Sequence, residues 1–341
     1  MEYYSRRLPV YLFLDTSESM AGPAIEAVGQ GVNTLVNELR TNPLALETAY
    51  LSVITFSREA QQIVSLTELM RFQLPQLRIR PGTALGAGLR LLSECLQRDV
   101  QRTTESLKGD YKPLVFLLTD GQPTDEWESA ADSIKRAKRA NIYAIGCGPD
   151  IDTEVLYRVT DKVLLMPNLT PEAIRKFFVW LSASVQTVST KADAGAGGGS
   201  LDLPSPPLDV MEEAPRTNVP RDHRPRQVFL HALCSKSRQP YLMRFVRRAY
   251  EDLFDAVASH RLESLEEVDA ASLPPINSSL LCGIPDCPYC ENPSATVCPS
   301  CGVIFCDSRK HQTAATCPNC HSYLVKSEDG GGDIDITRSH G

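Results

Sequence analysis

Residues 8–19 read LPVYLFLDTSES, an apolar run that ends abruptly in a polar turn. A run of this length bounded by turn residues reads as a strand buried on both faces. A helix follows, from Pro23 to about Arg40. Proline sits in its first turn, and Ile25, Val28, Val32, Leu35, Val36 and Leu39 form one apolar stripe. Strand then helix is the unit of a parallel sheet, and the same alternation continues downstream.

TAYLSVITF (48–56) and AQQIVSL (60–66) are two further strands with only a few residues between them, which predicts an antiparallel hairpin at a sheet edge. Ala84 to about Gln101 is helical, with Leu85, Leu89, Leu92 and Leu96 in register. PLVFLLT (113–119) is another continuous apolar strand. A helix over Glu126–Ala140, strands NIYAIGC (141–147) and KVLLM (162–166), and a helix from Pro171 to about Val188 complete the first 190 residues. The expected fold is α/β: a doubly wound, mostly parallel sheet with helices on both faces. Such sheets bind ligands beyond the carboxyl ends of their strands, where the winding reverses.

A chain of 341 residues suits more than one domain. Residues 191–226 change character: KADAGAGGGS is small and glycine-rich, and the stretch after it is rich in proline and charge. This reads as a linker. QVFLHAL and PYLMRFV form a second hairpin pattern, and Tyr250–Val268 is either a helix or a third strand. A second domain is assigned to 227–326, with a disordered tail over 327–341. The formal charge of −7 gives no electrostatic reason for nucleic-acid binding. The basic residues Arg221, Arg224, Arg226, Arg244, Arg247 and Arg248 lack the interleaved aromatics of a stacking surface. No apolar run is long enough to span a membrane. The start, MEYYSRRLPV, lacks the apolar core of a secretory signal, so a cytoplasmic location is expected.

Three loops carry hard oxygen donors. The first strand runs into Asp15-Thr-Ser17-Glu-Ser19, the helix at 84–101 is preceded by Thr83, and the strand 113–119 ends in Asp120-Gly121. If the first and third of these lie side by side, their loops converge. Mg²⁺ takes oxygen ligands in octahedral geometry and keeps several waters. Ser17, Ser19 and Thr83 offer neutral hydroxyls, while Asp15 and Asp120 bind directly or orient the hydroxyls and waters. An ion with few direct negative ligands draws a carboxylate or phosphate from outside. Glu18 is read as facing solvent, with added negative charge that tunes affinity for an acidic ligand as the alternative.

Eight of the 11 cysteines lie between Cys282 and Cys320. The order is Cys287-x2-Cys290-x7-Cys298-x2-Cys301-x4-Cys306-x4-His311-x5-Cys317-x2-Cys320, eight ligands for two tetrahedral Zn²⁺ ions. Cys298 and Cys301 with Cys317 and Cys320 match a zinc-ribbon spacing. Cys287 and Cys290 with Cys306 and His311 are the expected second set, in an interleaved cross-brace or in sequential order. Cys282 is either a spare or an alternative to His311. Fully protein-coordinated ions are structural, each contributing on the order of 10–16 kcal/mol of apparent binding free energy to folding. Cys95 and Cys147 fall on core elements and are read as packing residues, and Cys234 stands apart from the cluster.

D-x-S-x-S after an apolar strand, with a later threonine and a D-G at strand ends, resembles the metal-ion-dependent adhesion site (MIDAS) of von Willebrand factor A (VWA) domains. That resemblance implies that Ser17, Ser19 and Thr83 contact the Mg²⁺ (or Mn²⁺) ion and that Asp15 and Asp120 act largely through water. RRLPVYLFLDTSESM, ALETAYLSVITFS, PGTALGAGLRLL, YKPLVFLLTDGQPTD and the cysteine module together resemble the TerY family of tellurium-resistance and stress gene clusters. The resemblance implies a non-catalytic adaptor that works beside a protein kinase and a PP2C-type phosphatase in phosphorylation signalling. Two other functions remain open: a RING-like ubiquitin ligase, from the cross-brace spacing, and a structural subunit of a transcription or repair complex. Histidine is absent from residues 1–190, and no kinase motif is present.

Overall fold

Asp15 and Thr119 end two adjacent parallel strands, and the first domain is built around that pair. The computed structural model describes residues 6–104, 108–148, 151–193, 203–214, 227–248, 251–263, 275–307, 314–325 and 333–338. The chain divides into two units, Met1–Arg78 with Thr83–Val219, and Ile79–Gly82 with Pro220–Gly341.

In the first unit, β1 (Leu8–Asp15) is buried along its whole length. After it come α1 (Pro23–Thr41), α2 (Pro43–Thr48), β2 (Ala49–Phe56) and β3 (Ala60–Glu68). Then follow α3 (Leu85–Asp99), β4 (Leu114–Thr119), α4 (Glu128–Ala137), β5 (Asn141–Cys147), α5 (Thr153–Val159), β6 (Val163–Met166), α6 (Pro171–Asp193) and β7 (Glu212–Glu213). The sheet order is β3-β2-β1-β4-β5-β6-β7. β2 and β3 form the expected antiparallel edge hairpin, and β1, β2, β4, β5 and β6 are parallel. The chain winds outward from β1 to β3, then crosses back to β4, so the winding reverses between β1 and β4. Leu14 pairs with Leu118 there, which sets Asp15 level with Thr119.

Alternate residues of β1 feed the two faces of the sheet. Tyr11 and Phe13 join Phe56, Leu89, Leu92 and Ile134 in the core beneath α3 and α4. The rings of Phe13 and Phe56 lie 4.6 Å apart. Each fully buried side chain of this size contributes roughly 1.5–3 kcal/mol. On the other face α1 packs against α6, close enough that a Cβ on Gly31 would stand 2.1 Å from the Phe178 ring. Two short helices, α2 and α5, go beyond the sequence reading. No helix among the described residues is long and apolar enough to cross a membrane.

The segment read as a linker is corrected in part. Residues 203–214 return along the first unit, where β7 pairs antiparallel with β6. Met211 and Ala214 are buried, Trp180 Nε1 donates to Pro204 O at 2.8 Å, and Tyr157 Oη donates to Ala214 O at 2.5 Å. Its prolines and charges hid a strand of only two residues. Residues 194–202 and 215–226 lie outside the described residues.

The second unit is built on an antiparallel meander of β8 (Gln227–Leu233), β9 (Pro240–Arg247) and β10 (Phe254–Arg261). The ambiguous stretch after Tyr250 is thus a third strand, with a bulge between Ala256 and Ala258. Short strands follow: β11 (Ile276–Asn277), β12 (Leu281–Cys282), β13 (Ala295–Val297), β14 (Ile304–Cys306), β15 (Ala314–Thr316), β16 (Tyr323–Val325) and β17 (Asp335–Ile336). The main sheet runs β12-β10-β9-β8-β14-β13. The tail expected to be disordered contributes β17, which pairs with β11 and buries Ile336.

Candidate metal centres

The turn after β1 is drawn inward by its own polar atoms. Ser17 N donates to Asp15 Oδ1 at 2.9 Å, and Ser17 Oγ lies 2.9 Å from Ser19 Oγ. Ser19 Oγ donates to Asp120 Oδ1 at 2.6 Å. Thr119 Oγ1 donates to the other oxygen of Asp15 at 2.5 Å. Four of the five expected residues are therefore joined in one hydrogen-bonded chain across the switch point. Thr83, the fifth, is buried, and its backbone is fixed to the loop after β4: Thr83 N donates to Thr124 Oγ1, and Thr124 N to Thr83 O, both at 3.0 Å.

Asp15 is completely buried, and burial pushes its carboxyl up from the ordinary 3.8 to about 6, although hydrogen bonds from Thr119 and Ser17 pull the other way. A buried carboxylate held by neutral donors, beside two hydroxyls and a second carboxylate, is a donor set that suits a hard divalent cation such as Mg²⁺. Glu18, expected to face solvent, is 1% exposed. The one-turn 3₁₀ helix Glu18–Met20 carries it into the protein. Cys147 at the end of β5 lies close by. Burial, then the charges of Asp120 and Asp15, push its thiol well up, consistent with a packing role.

The second unit gathers two cysteine tetrads, Cys234, Cys287, Cys290 and Cys306, and Cys298, Cys301, Cys317 and Cys320, with the sulfurs of each set within 4.8 Å of one another. Cys290 and Cys306 Sγ are 3.6 Å apart, Cys298 and Cys320 3.6 Å, and Cys301 and Cys317 3.7 Å. A tetrahedron with Zn–S bonds near 2.3 Å has edges of about 3.8 Å, so both sets have the size of a Zn²⁺ site, whereas a disulfide would bring sulfurs to about 2 Å. The second set is the one its spacing indicated. In the first set Cys234, set aside in the sequence, stands with Cys287, Cys290 and Cys306. His311 lies outside the described residues, and Cys282 sits on β12 opposite Asp255, in neither tetrad.

The signal that marks Cys234 is a turn. In CPYCE, CPSCG and CPNCH, the first cysteine's carbonyl accepts from the N–H four residues on, and that residue has positive φ: Glu291 at 58°, Gly302 at 74° and His321 at 63°. CSKSR repeats the turn. Arg238 N donates to Cys234 O at 2.8 Å, Arg238 has φ 59°, and Ser237 stands where the others have their second cysteine. Cys306 at the end of β14 supplies the fourth sulfur. Ser235 N donates to Cys306 Sγ at 3.2 Å and Ser237 N to Cys234 Sγ at 3.4 Å. Burial opposes ionisation of Cys234, but the donors from Ser237 and Lys236 outweigh it and bring the thiol down to about 6. In the other tetrad, hydrogen bonds from Ser322 lower Cys320 to about 6. Such donors orient ligands and favour the thiolate that zinc needs.

A family model for the von Willebrand factor type A domain matches residues 10–167, and one for the TerY-C metal binding domain matches residues 225–341. A comparison with curated proteins gives no match. Among solved structures, proximal thread matrix protein 1 from the mussel byssus is 16% identical over 53% of this chain and 48% of its own, with a TM-score of 0.39. The ArnB paralog VWA2 from Sulfolobus acidocaldarius is 18% identical over 51% of this chain and 44% of its own, with a TM-score of 0.40. The pilus adhesin SpaC from Lactobacillus rhamnosus GG is 16% identical over 53% and 30%, with a TM-score of 0.42. The chain thus spans about half the length of the first of these, or less. The chain therefore carries a von Willebrand factor type A domain followed by a TerY-C metal-binding domain, an arrangement that matches a TerY-type von Willebrand factor A protein.

Proposed function

We propose that this protein is a non-catalytic, Mg²⁺-dependent adaptor that docks an acidic or phosphorylated protein partner at the carboxyl ends of β1 and β4. The observation that carries the reading is the bond from Ser19 Oγ to Asp120 Oδ1, continued through Ser17 to Asp15. It draws two hydroxyls and two carboxylates from separate loops into one oxygen cluster. A bound Mg²⁺ would supply positive charge and a coordination position for an anionic oxygen of the partner. Ser17, Ser19 and Thr83 would hold the ion, while Asp15 and Asp120, which accept hydrogen bonds from Ser17 and Ser19, would orient the hydroxyls around it. The absence of histidine from residues 1–190 supports binding rather than acid–base chemistry here.

The partners that best fit this reading are a protein kinase and a PP2C-type phosphatase acting in the same cytoplasmic stress circuit as TerY proteins. The zinc module serves as a second, structural platform. Cys234 ties the first zinc site to the end of β8, so the module extends from the meander rather than standing as a separate cross-brace of about 40 residues, which weighs against the ligase alternative.

The test is calorimetry between the full chain and each purified partner, with Mg²⁺ present or omitted. Omission is preferable to a chelator, which would also strip zinc. Binding is expected to require Mg²⁺ and to be lost in the double variant Asp15→Ala with Asp120→Ala. Full binding by that variant would overturn the docking mechanism.

A further inference from the structure

Helix α3 begins at Leu85 without a side-chain cap of its own, because Ala84 occupies the cap position. The first N–H groups of a helix have no partner within it and must find one elsewhere. Leu85 N donates to Thr83 O at 2.8 Å. The next two are met from another loop: Gly86 N donates to Asp125 Oδ1 at 2.9 Å and Ala87 N to Asp125 Oδ2 at 2.8 Å. Asp125 thus caps α3 with both carboxylate oxygens, from the loop that follows β4. A negative charge at a helix N-terminus is favourable in its own right.

That loop also carries Asp120. Between the two acids lies Thr124, whose hydroxyl accepts from Thr83 N and whose N–H donates to Thr83 O. Beyond them, the backbone of Glu126 and Trp127 runs so close to α3 that a Cβ on Gly86 would stand 2.3 Å from Glu126 O and 2.7 Å from Trp127 Cα. Arg90 adds an outer tie, with Nη1 donating to Glu126 O at 3.2 Å. The start of α3 and the loop 120–127 are therefore fastened at several points, with Thr83 at the inner end of the clasp.

We propose that Asp125 is a positioning residue that locks Thr83, the third hydroxyl of the metal site, to the loop bearing Asp120, and so sets the site's affinity for Mg²⁺. This rests on the metal reading given above. The coupling ties the backbone that carries the Thr83 hydroxyl to the loop that carries the Asp120 carboxylate. Side chains that orient metal ligands from outside typically change affinity 10- to 100-fold when removed.

The experiment is Mg²⁺ titration by calorimetry on the full, zinc-loaded chain, paired with unfolding midpoints in Mg²⁺-free buffer. Asp125→Ala is expected to weaken Mg²⁺ binding about tenfold or more. Asp125→Asn, which keeps one acceptor oxygen, should weaken it less. Thr124→Val should behave like Asp125→Ala, and Thr124→Ser, which restores the acceptor for Thr83 N, should return wild-type affinity. A purely structural cap would lower the Mg²⁺-free midpoint and leave the affinity of the folded protein unchanged. Should Asp125→Ala not fold, Thr124→Val and Thr124→Ser decide the matter. Wild-type affinity in Asp125→Ala or Thr124→Val, with the wild type itself binding Mg²⁺, would overturn this inference alone. No Mg²⁺ binding by the wild type would overturn the metal reading and this inference with it.

Discussion

Thr119 Oγ1 donates a 2.5 Å hydrogen bond to Asp15 Oδ2 across the neighbouring ends of β4 and β1. It reaches Asp15 from the neighbouring strand, and it holds a buried carboxylate whose second oxygen accepts from Ser17 N.

The charge on Asp15 is costly without a cation. Its carboxyl is raised from 3.8 to about 6 by burial. A group raised in the folded state contributes stability that is full below the unfolded value and is lost as pH rises through the folded one. The loss falls between about pH 4 and pH 6 and amounts to about 3 kcal/mol, using about 1.4 kcal/mol per pKa unit. In Mg²⁺-free buffer Asp15→Asn should therefore unfold at a higher temperature than wild type at pH 7.5 and at about the same temperature near pH 4. The rise in midpoint produced by Mg²⁺ should shrink in wild type below about pH 6 and be absent from the variant. A lower midpoint for Mg²⁺-free Asp15→Asn at pH 7.5 would show that the buried charge is not a burden.

Removing the donor should have the opposite sign. Thr119→Val keeps the shape but leaves one Asp15 oxygen without its hydroxyl partner. A hydrogen bond to a charged group is worth about 1.5–3 kcal/mol. Urea denaturation at pH 7.5 should report a loss of that size for Thr119→Val and little change for Thr119→Ser. Equal stability of all three proteins would mean that Thr119 contributes nothing to holding Asp15.

The parts of this arrangement that were legible in the sequence are those that repeat a local period or spacing. β1 and β4 announce themselves as apolar runs because both of their faces are covered, and D-x-S-x-S needs only five consecutive residues. The parts that escaped depend on distant partners. Cys234 has no neighbouring cysteine, and its turn shows itself as a ligand site only when set beside CPYCE, CPSCG and CPNCH. β7 is two residues of glutamate whose place on β6 is decided by the burial of Met211 and Ala214 on either side. Nothing local to Asp125 says that its carboxylate caps a helix beginning at residue 85. Glu18 was misjudged because a charged residue in a turn usually points outward, and here the 3₁₀ turn carries it in.

The two tetrads should not be equivalent. Cys234 and Cys306 stand at the ends of β8 and β14, which pair in the main sheet, and both belong to its apolar core. Cys301 and Cys320 of the other tetrad are exposed and lie beside the small β15–β16 hairpin. Elemental analysis should find about two Zn²⁺ per wild-type chain and about one in either Cys234→Ser or Cys320→Ser. Thermal unfolding should then separate them: Cys234→Ser should destabilise the whole meander, and Cys320→Ser should leave most of the strand content intact by circular dichroism. Two zinc ions retained in Cys234→Ser would remove Cys234 from the site.

The returning segment 203–214 should behave as part of the first domain. Met211 is almost fully buried, and cutting a buried methionine to alanine costs about 2–5 kcal/mol. The polar ties at either end, Trp180 Nε1 to Pro204 O and Tyr157 Oη to Ala214 O, are each worth about 1 kcal/mol. Met211→Ala should therefore lower first-domain stability more than Tyr157→Phe does. Both variants should speed proteolysis within 203–214, because cleavage tracks the population of the detached state when reclosing is fast. Mg²⁺ affinity offers the control: β7 lies on β6, at the far edge from β1 and β4, so it should not change. Cleavage of wild type at the rate of an open chain would instead return residues 203–214 to the role of a plain linker.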